Sequence, residues 1–411
     1  LGAKSGQGFF LKQGKEITEL NLETFEYEPV KKLKTPSIEM AKQARGLANK
    51  VKTLVYAKDR TGELLWNIFA PTLIYSAQLT DEIADDIVAI DNAMKWGFGW
   101  AQGPFEMWDA IGVKHSVAKM KEEGREIPSF VQGLLDKGLD TFYSEIDGDL
   151  AYYDGTQYVK VLVNEKAIDL KRYKKKHGVI KSNSGASLID LQDGVLLLEF
   201  HSQSNAIGLD IIQMLNTAID ELENNAAYKG LVIGNQGKNF CVGANLGMIL
   251  MEAQDDNIFE LDFVIGAFQK AMRRIKYAAK PVVAAPFQMT LGGGAEVCLP
   301  AAHIQASAET YIGLVEAGVG VIPGGAGNLG LYEKFIKGLP NGVDIDLQAV
   351  VNKVFETIAL AKVSTSGEEA RENNFLDFAD SVSVNPDHLI YDAKQAAIAL
   401  YDAGYRAPVK K

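Results

Sequence analysis

The chain has 411 residues, 47% apolar and 23% charged, a composition that excludes disorder and a length that exceeds what one compact core usually holds. Its 42 basic and 53 acidic residues leave a net charge of −11, which disfavours nucleic acid and anionic membrane surfaces as partners. No run of about twenty apolar residues offers a membrane span, and no signal-like apolar segment occupies the N-terminal stretch.

The opening Leu1-Gly2-Ala3-Lys4-Ser5-Gly6-Gln7-Gly8-Phe9-Phe10 reads as the interior of a domain, so the C-terminal portion of a longer polypeptide is expected. Residues 1–150 read as helical. Ile38, Ala41, Ala44, Leu47, Ala48 and Val51 recur at helical spacing, and Leu64, Leu65, Ile68, Phe69, Leu73 and Ile74 continue the pattern over Thr61 to Gln78. Thr80-Asp81-Glu82-Ile83 predicts a further helix capped by Thr80 and reaching Met94. The aromatic residues among the glycines from Gly97 to Trp108 fit the packing of a helical corner better than a ligand cradle.

Residues 151–186 change character. Tyr152 to Val163, with Asp154-Gly155 at its centre, predicts a hairpin. The basic run Lys171-Arg172-Tyr173-Lys174-Lys175-Lys176-His177 and the following Ser182-Asn183-Ser184-Gly185 read as a solvated linker, with phosphate binding as the sharper alternative.

From residue 187 to 411 strands and helices alternate. Val195 to Phe200, Gly230 to Ile233 and Pro281 to Ala285 read as buried strands, and Leu209 to Glu223 and Leu261 to Tyr277 as helices, which predicts α/β architecture with sites at the strand C-termini. Three turns follow such strands. Asn239-Phe240-Cys241-Val242-Gly243-Ala244-Asn245-Leu246 opens a helix, Leu291-Gly292-Gly293-Gly294-Ala295-Glu296 is glycine-dense, and Gly313 to Gly320 carries Glu316 before Ile322-Pro323-Gly324-Gly325. Either glycine cluster alone is an ordinary turn with a solvated carboxylate. Together with a helix N-terminus they describe backbone N–H groups placed to hold negative charge beside two acid/base groups.

Other motifs fail. Gly325-Ala326-Gly327-Asn328-Leu329-Gly330 spells a dinucleotide fingerprint, but Pro323 and Gly324 interrupt the strand it needs and the helix after it is short. His115, His177, His201, His303 and His388 show no metal-ligand spacing, and no serine sits in a nucleophile elbow, so no metal is expected. Cys241 and Cys298 lie in apolar surroundings and read as buried thiols in a reducing compartment; the expected location is the cytoplasm, with a bacterial source.

These ordered motifs, with Ser204-Asn205-Ala206 after the first strand, resemble those of the crotonase superfamily, specifically enoyl-CoA hydratases. The resemblance implies a crotonase-like α/β domain of repeated ββα units and an acyl-CoA substrate. It implies an oxyanion hole formed by the N–H groups of Ala244 and Gly293, and catalysis by Glu296 as base and Glu316 as acid. Asn205, Ala206, Val242, Gly243 and Gly292 would touch the substrate or its coenzyme A. Departures occur at Asn245, Gln288, Leu314-Val315 and Gly327-Asn328-Leu329, and they bear on pocket shape rather than on the acid/base pair.

Residues 1–150 resemble the all-α C-terminal region of 3-hydroxyacyl-CoA dehydrogenases, through Lys4-Ser5-Gly6-Gln7-Gly8-Phe9 and through Ala93-Met94-Lys95-Trp96-Gly97-Phe98-Gly99-Trp100 with Gly103-Pro104-Phe105. The implied parent is a bifunctional fatty-acid β-oxidation protein with the dehydrogenase first. NAD is expected only for the upstream domain, and this stretch is not expected to oxidise a hydroxyacyl-CoA. Rival readings are a Δ3,Δ2-enoyl-CoA isomerase, which needs one carboxylate, and a non-catalytic coenzyme A-binding or assembly module. Arg273, Arg274, Lys276 and Lys280, or the basic run, are candidate cations for the coenzyme. The resemblance also implies trimer-like homo-oligomers formed through C-terminal helices such as Ala393 to Tyr401, and association with other β-oxidation enzymes.

Overall fold

The computed structural model describes residues 2–14, 16–31, 33–80, 82–162, 164–340, 342 and 344–410. Asp81 of the helix expected to start at Thr80 and Val163 at the end of the expected hairpin lie outside them. The chain divides into two compact units, Leu1–Leu162 and Val163–Lys411.

The first unit opens with an antiparallel sheet of β1 (Phe10–Gln13), β2 (Glu16–Leu20) and β3 (Tyr27–Pro29). Seven helices follow: α1 (Pro36–Gln43), α2 (Leu47–Val55), α3 (Arg60–Gln78), α4 (Ile87–Phe98), α5 (Pro104–Ile111), α6 (Val113–Glu122) and α7 (Ser129–Asp136). A second antiparallel sheet, β4 (Tyr143–Ile146), β5 (Asp149–Tyr153) and β6 (Tyr158–Lys160), closes the unit. The expected all-α character thus belongs to residues 36–136, with sheets on either flank.

The expected helix start at Thr80 is corrected to Ile87. The Thr80 hydroxyl donates to the Ala77 carbonyl instead, whereas Asp86 accepts from the Ala89 N–H as a true N-cap. The glycine-rich corner after α4 packs as expected. Asp91 accepts from the N–H groups of Phe105 and Glu106 at the start of α5, and Phe105 and Trp108 are fully buried beside Phe142. A Cβ on Gly103 would sit 2.3 Å from the Asp91 side chain, so this approach requires glycine.

In the second unit the basic run forms a helix, α8 (Leu170–His177), capped by Asp169, and is not a solvated linker. Next come β7 (Lys181–Ser182), β8 (Ala186–Asp190), β9 (Val195–Phe200), α9 (Leu209–Asn224), β10 (Gly230–Gly234), α10 (Leu246–Gln254) and α11 (Ile258–Lys276). They are followed by β11 (Val282–Ala284), β12 (Gln288–Leu291), α12 (Gly293–Cys298), β13 (His303–Ser307), β14 (Thr310–Gly313), α13 (Gly327–Ile336) and α14 (Leu347–Ala359). The chain closes with β15 (Val363–Ser364), α15 (Gly367–Glu372), β16 (Ser381–Ser383) and α16 (Leu389–Asp402).

The main sheet has the order β16-β13-β11-β10-β9-β8-β7, with the five strands from β16 to β9 parallel. Its faces alternate as a two-residue period demands. Leu196, Leu198, Phe200, Leu231 and Ile233 share one core with residues of α9 and α11, while Val195, Leu197, Val232 and Val283 share another with α16. Burial on both faces is why these strands read as unbroken apolar runs. A small sheet, β12-β14-β15, carries the glycine turns. In α16, Ala393 and Ala397 are buried in the core of their own unit, and Ile398 and Leu400 pack against it.

Candidate active site

Two loops meet at the C-terminal ends of β9 and β10. The Ile207 N–H donates to the Gly243 carbonyl (2.9 Å) and the Asn245 N–H donates to the Ile207 carbonyl (3.0 Å). The intervening Ala244 N–H therefore points away from this bridge, and it donates to no protein acceptor among the described residues. Asn245 caps α10 through the Met248 N–H. Asn205 is 6% exposed and its amide donates to the Asn239 carbonyl (2.9 Å), so its side chain fastens one loop to the other. The Ala206 carbonyl accepts from the Ser202 hydroxyl, and Val242 lies half-buried between Cys241 and Gly243.

The triple-glycine turn approaches from β12. The Cys241 N–H donates to Met289 and the Leu291 N–H donates to Cys241, tying this turn to the Gly243-Ala244 loop. Gly292 has φ 54° and ψ −121°, a conformation that glycine alone adopts freely, and its N–H donates to Gly313 at the end of β14. That bond draws the Glu316 turn alongside. A Cβ on Gly292 would lie 3.3 Å from a Glu316 carboxylate oxygen, and one on Gly293 would lie 3.3 Å from the Ala244 nitrogen. The Gly293 N–H opens α12 and, like that of Ala244, has no protein acceptor among the described residues. Ala244, Gly292, Gly293, Glu296 and Glu316 thus converge.

The two glutamates meet opposite surroundings. Glu296 is 3% exposed, and its Oε1 accepts from the N–H groups of Gly325 (2.8 Å), Ala326 (3.0 Å) and Gly327 (2.8 Å) at the start of α13. Burial raises its pKa above the ordinary range, while these donors and the helix end favour the ionised form. The rejected dinucleotide pattern is therefore a cradle for a carboxylate of this chain. Its glycines are needed there, because a Cβ on Gly325 would meet the Phe268 ring at 2.3 Å and one on Gly327 would meet Pro323 at 2.7 Å. Both carboxylate oxygens of Glu316 are buried without a hydrogen-bond partner on another residue among the described residues. Burial pushes its pKa up to about 7, against the lowering effect of its own backbone N–H and with the charge of Glu296 adding to the rise.

Two cavities flank the meeting loops. A polar one of about 710 Å³ includes Lys171, Lys174, Ser204, Asn205, Lys238 and Asn239 in its walls. An apolar one of about 60 Å³ is lined by Ile207, Ala244, Met248, Leu261, Ile265 and Phe268, among others. The pocket role of α11 escaped sequence reasoning, although Leu261, Val264, Ile265 and Phe268 carry the helical spacing that signals it.

Of the cations sought on α11 and just after it, three are committed elsewhere. Arg274 pairs with Asp220, Lys276 with Glu333, and Lys280 donates to the Leu222 and Asn225 carbonyls. Arg273 is exposed. The thiols of Cys241 and Cys298 are buried, and burial pushes Cys241 up to about 12 and raises Cys298. Among the described residues no cluster of metal-ligating side chains occurs, and no helix is long and apolar enough to cross a membrane.

Residues 190–336 match the family model described as enoyl-CoA hydratase/isomerase. The whole chain is 60% identical to a probable 3-hydroxyacyl-CoA dehydrogenase of Bacillus subtilis, of which it covers 51%. It is 28% identical over 331 residues, 80% of its length, to a putative fatty acid oxidation complex trifunctional enzyme of Rickettsia prowazekii, covering 41% of that protein. The chain therefore spans about half the length, or less, of these curated relatives. A crystal structure of an enoyl-CoA hydratase from Polaromonas sp. JS666 aligns with 53% of this chain and 77% of its own, at 19% identity and a TM-score of 0.44. With the converging turns lying inside the matched segment, residues 190–336 belong to the enoyl-CoA hydratase/isomerase family of crotonase-like domains.

Proposed function

We propose that this chain hydrates 2-enoyl-CoA thioesters to 3-hydroxyacyl-CoA in fatty-acid oxidation. The observation that carries the reading is the pair of glutamates with opposed environments beside two backbone N–H groups that have no protein acceptor among the described residues. Attack of water at C3 moves charge onto the thioester oxygen. The Ala244 and Gly293 N–H groups are suited to receive it, and such a donor lowers a barrier by about 3–4 kcal/mol.

Glu296, held by three donors, is the base that removes a proton from the attacking water. Glu316, with no donor to its oxygens, carries the proton delivered to C2. Water thus adds across the double bond with no cofactor consumed. The polar and apolar cavities on either side of the loops suit a ligand that is anionic at one end and aliphatic at the other. Association with a dehydrogenase that uses NAD fits the name of the Bacillus relative, and a bacterial cytoplasm fits its source.

The unpartnered Glu316 also favours a second activity, Δ3,Δ2-isomerisation, in which one carboxyl shuttles a proton between carbons. The test is loss of the conjugated enoyl absorbance of crotonyl-CoA by the chain, by Glu296→Gln and by Glu316→Gln. Hydration should fall by about two to four orders of magnitude in each variant while circular dichroism stays unchanged. Isomerisation surviving Glu296→Gln would establish the second activity. A folded parent chain that binds the thioester without hydrating it sinks the hydratase reading.

A further inference from the structure

The base of the proposed reaction is held from outside its own turn. Glu296 Oε1 accepts from the N–H groups of Gly325 (2.8 Å), Ala326 (3.0 Å) and Gly327 (2.8 Å). What fixes these peptide groups decides how well they donate. The Ala326–Gly327 peptide is fixed by α13 itself, because the Ala326 carbonyl accepts from the Gly330 N–H (2.7 Å) in the first turn of the helix. The Gly324–Gly325 peptide lies before the helix, between two residues that lack a Cβ, and glycine restrains peptide rotation least. It needs an anchor from elsewhere.

Helix α11 supplies that anchor. The Gln269 amide donates to the Gly324 carbonyl at 2.7 Å, so both ends of one peptide group are engaged, the C=O by Gln269 and the N–H by Glu296. Donation to a carbonyl polarises the peptide and strengthens the N–H on its far side. Two neighbours of Gln269 on the helix support the same contact. A Cβ on Gly324 would lie 3.9 Å from Ile265, and one on Gly325 would lie 2.3 Å from the Phe268 ring. Ile265 and Phe268 also line the apolar cavity, so the helix that walls the cavity touches the cradle of the base. The Asn328 amide donates to the Pro323 carbonyl (2.9 Å), one peptide earlier, which leaves the Gly324–Gly325 group to Gln269.

We propose that Gln269 is a positioning residue for Glu296, its amide holding the Gly324–Gly325 peptide in the orientation that donates to the carboxylate. The proposal rests on the hydratase reading, in which Glu296 must be ionised to take a proton from water. Burial raises the Glu296 pKa and the three donors oppose it, so weakening a donor moves it further up. Around the carboxylate α11 presents the apolar Phe268 and α13 its backbone N–H groups, and Glu316 is the titratable group that faces it.

The test is the pH dependence of kcat and kcat/KM for crotonyl-CoA in Gln269→Met, which removes the donor, and in Gln269→Arg, which keeps one. Gln269 is exposed, so neither change opens the core. In Gln269→Met the acid limb should move up by about half a pH unit and kcat should fall about three- to tenfold, with KM within about twofold and the alkaline limb in place. Gln269→Arg should leave the acid limb at or below its parent position. Lys270→Gln, at the adjoining exposed position, should match the parent. An acid limb that stays in place in Gln269→Met, or rises equally in Gln269→Arg, overturns the proposal even where both variants melt earlier. Failure of the hydratase reading looks different, because the parent would then not turn over. In that case the Glu296 carboxyl is titrated by infrared difference between each protein and its Glu296→Gln counterpart. Protonation that moves to higher pH in Gln269→Met sustains the positioning role, and unmoved protonation overturns it.

Discussion

A glutamate's acidity depends on what its oxygens meet, and this site places two glutamates at opposite extremes. Three N–H donors and a helix end surround Glu296, whereas the oxygens of Glu316 are buried with no donor from another described residue. The sign of the pH dependence follows. Glu316 must carry its proton to deliver it, so kcat/KM should fall as pH rises through about 7. Glu296 must be ionised to accept a proton, so kcat/KM should also fall as pH drops through its raised pKa. The expected profile is a bell, measured with crotonyl-CoA from pH 5 to pH 9. A rate that keeps climbing above pH 8 would remove Glu316 from the role of acid. Because the charge of Glu296 helps raise Glu316, Glu296→Gln should lower the Glu316 pKa, which carboxyl infrared titration reads directly.

At the scale of elements, α10 walls the apolar cavity yet is lightly packed. It buries no residue fully, and Asn245 is its N-cap. Beneath it lies the apolar cavity of about 60 Å³, below half of the roughly 150 Å³ that admits a benzene ring. A long acyl chain can enter only if α10 shifts or its inward side chains shrink. Met248→Ala should therefore raise kcat/KM for 2-decenoyl-CoA relative to crotonyl-CoA by about tenfold, and an unchanged ratio would move the acyl chain elsewhere. The strands and helices around this cavity were legible because their apolar periods are long and unmixed. Elements whose partners are remote in sequence were not. The eight-residue helix α8 offers only Leu170 and Tyr173 as an apolar face, and its anchors, Glu199 and Gln236, come from later loops and strands. The α11 cations read as free because Asp220 and Glu333 lie far along the chain. The Gly325 to Gly330 pattern, read as no nucleotide fingerprint, holds the Glu296 carboxylate. Its cradle role required knowing that Glu296 folds back onto it.

At the scale of the molecule, the two units respond to pH through different carboxylates. The first holds Asp91 and Asp109 deep in its helical core, where burial pushes them up to about 6 and about 7 although backbone donors oppose it. In the second, burial raises Asp377 but Lys337 and Lys334 outweigh it and hold its carboxyl well below the usual range. A carboxyl with a raised folded pKa binds its proton more tightly in the fold than in the unfolded chain. Its contribution is therefore full below the ordinary value and is lost as pH climbs through the raised one. Asp377 has the opposite sign, and its stabilisation is lost only in strong acid. The remaining depressed carboxylates of the first unit, Glu123 at about 2 among them, also titrate below this window. All four tryptophans, Trp66, Trp96, Trp100 and Trp108, belong to the first unit, so their fluorescence isolates its unfolding. Between pH 5 and pH 8 the urea midpoint followed by tryptophan should fall, by more than about 1 kcal/mol in unfolding free energy. Asp109→Asn should flatten that slope, since the amide cannot ionise. A midpoint that does not fall over the same interval would place both carboxylates in solvent-like surroundings and contradict the packing of the helical core.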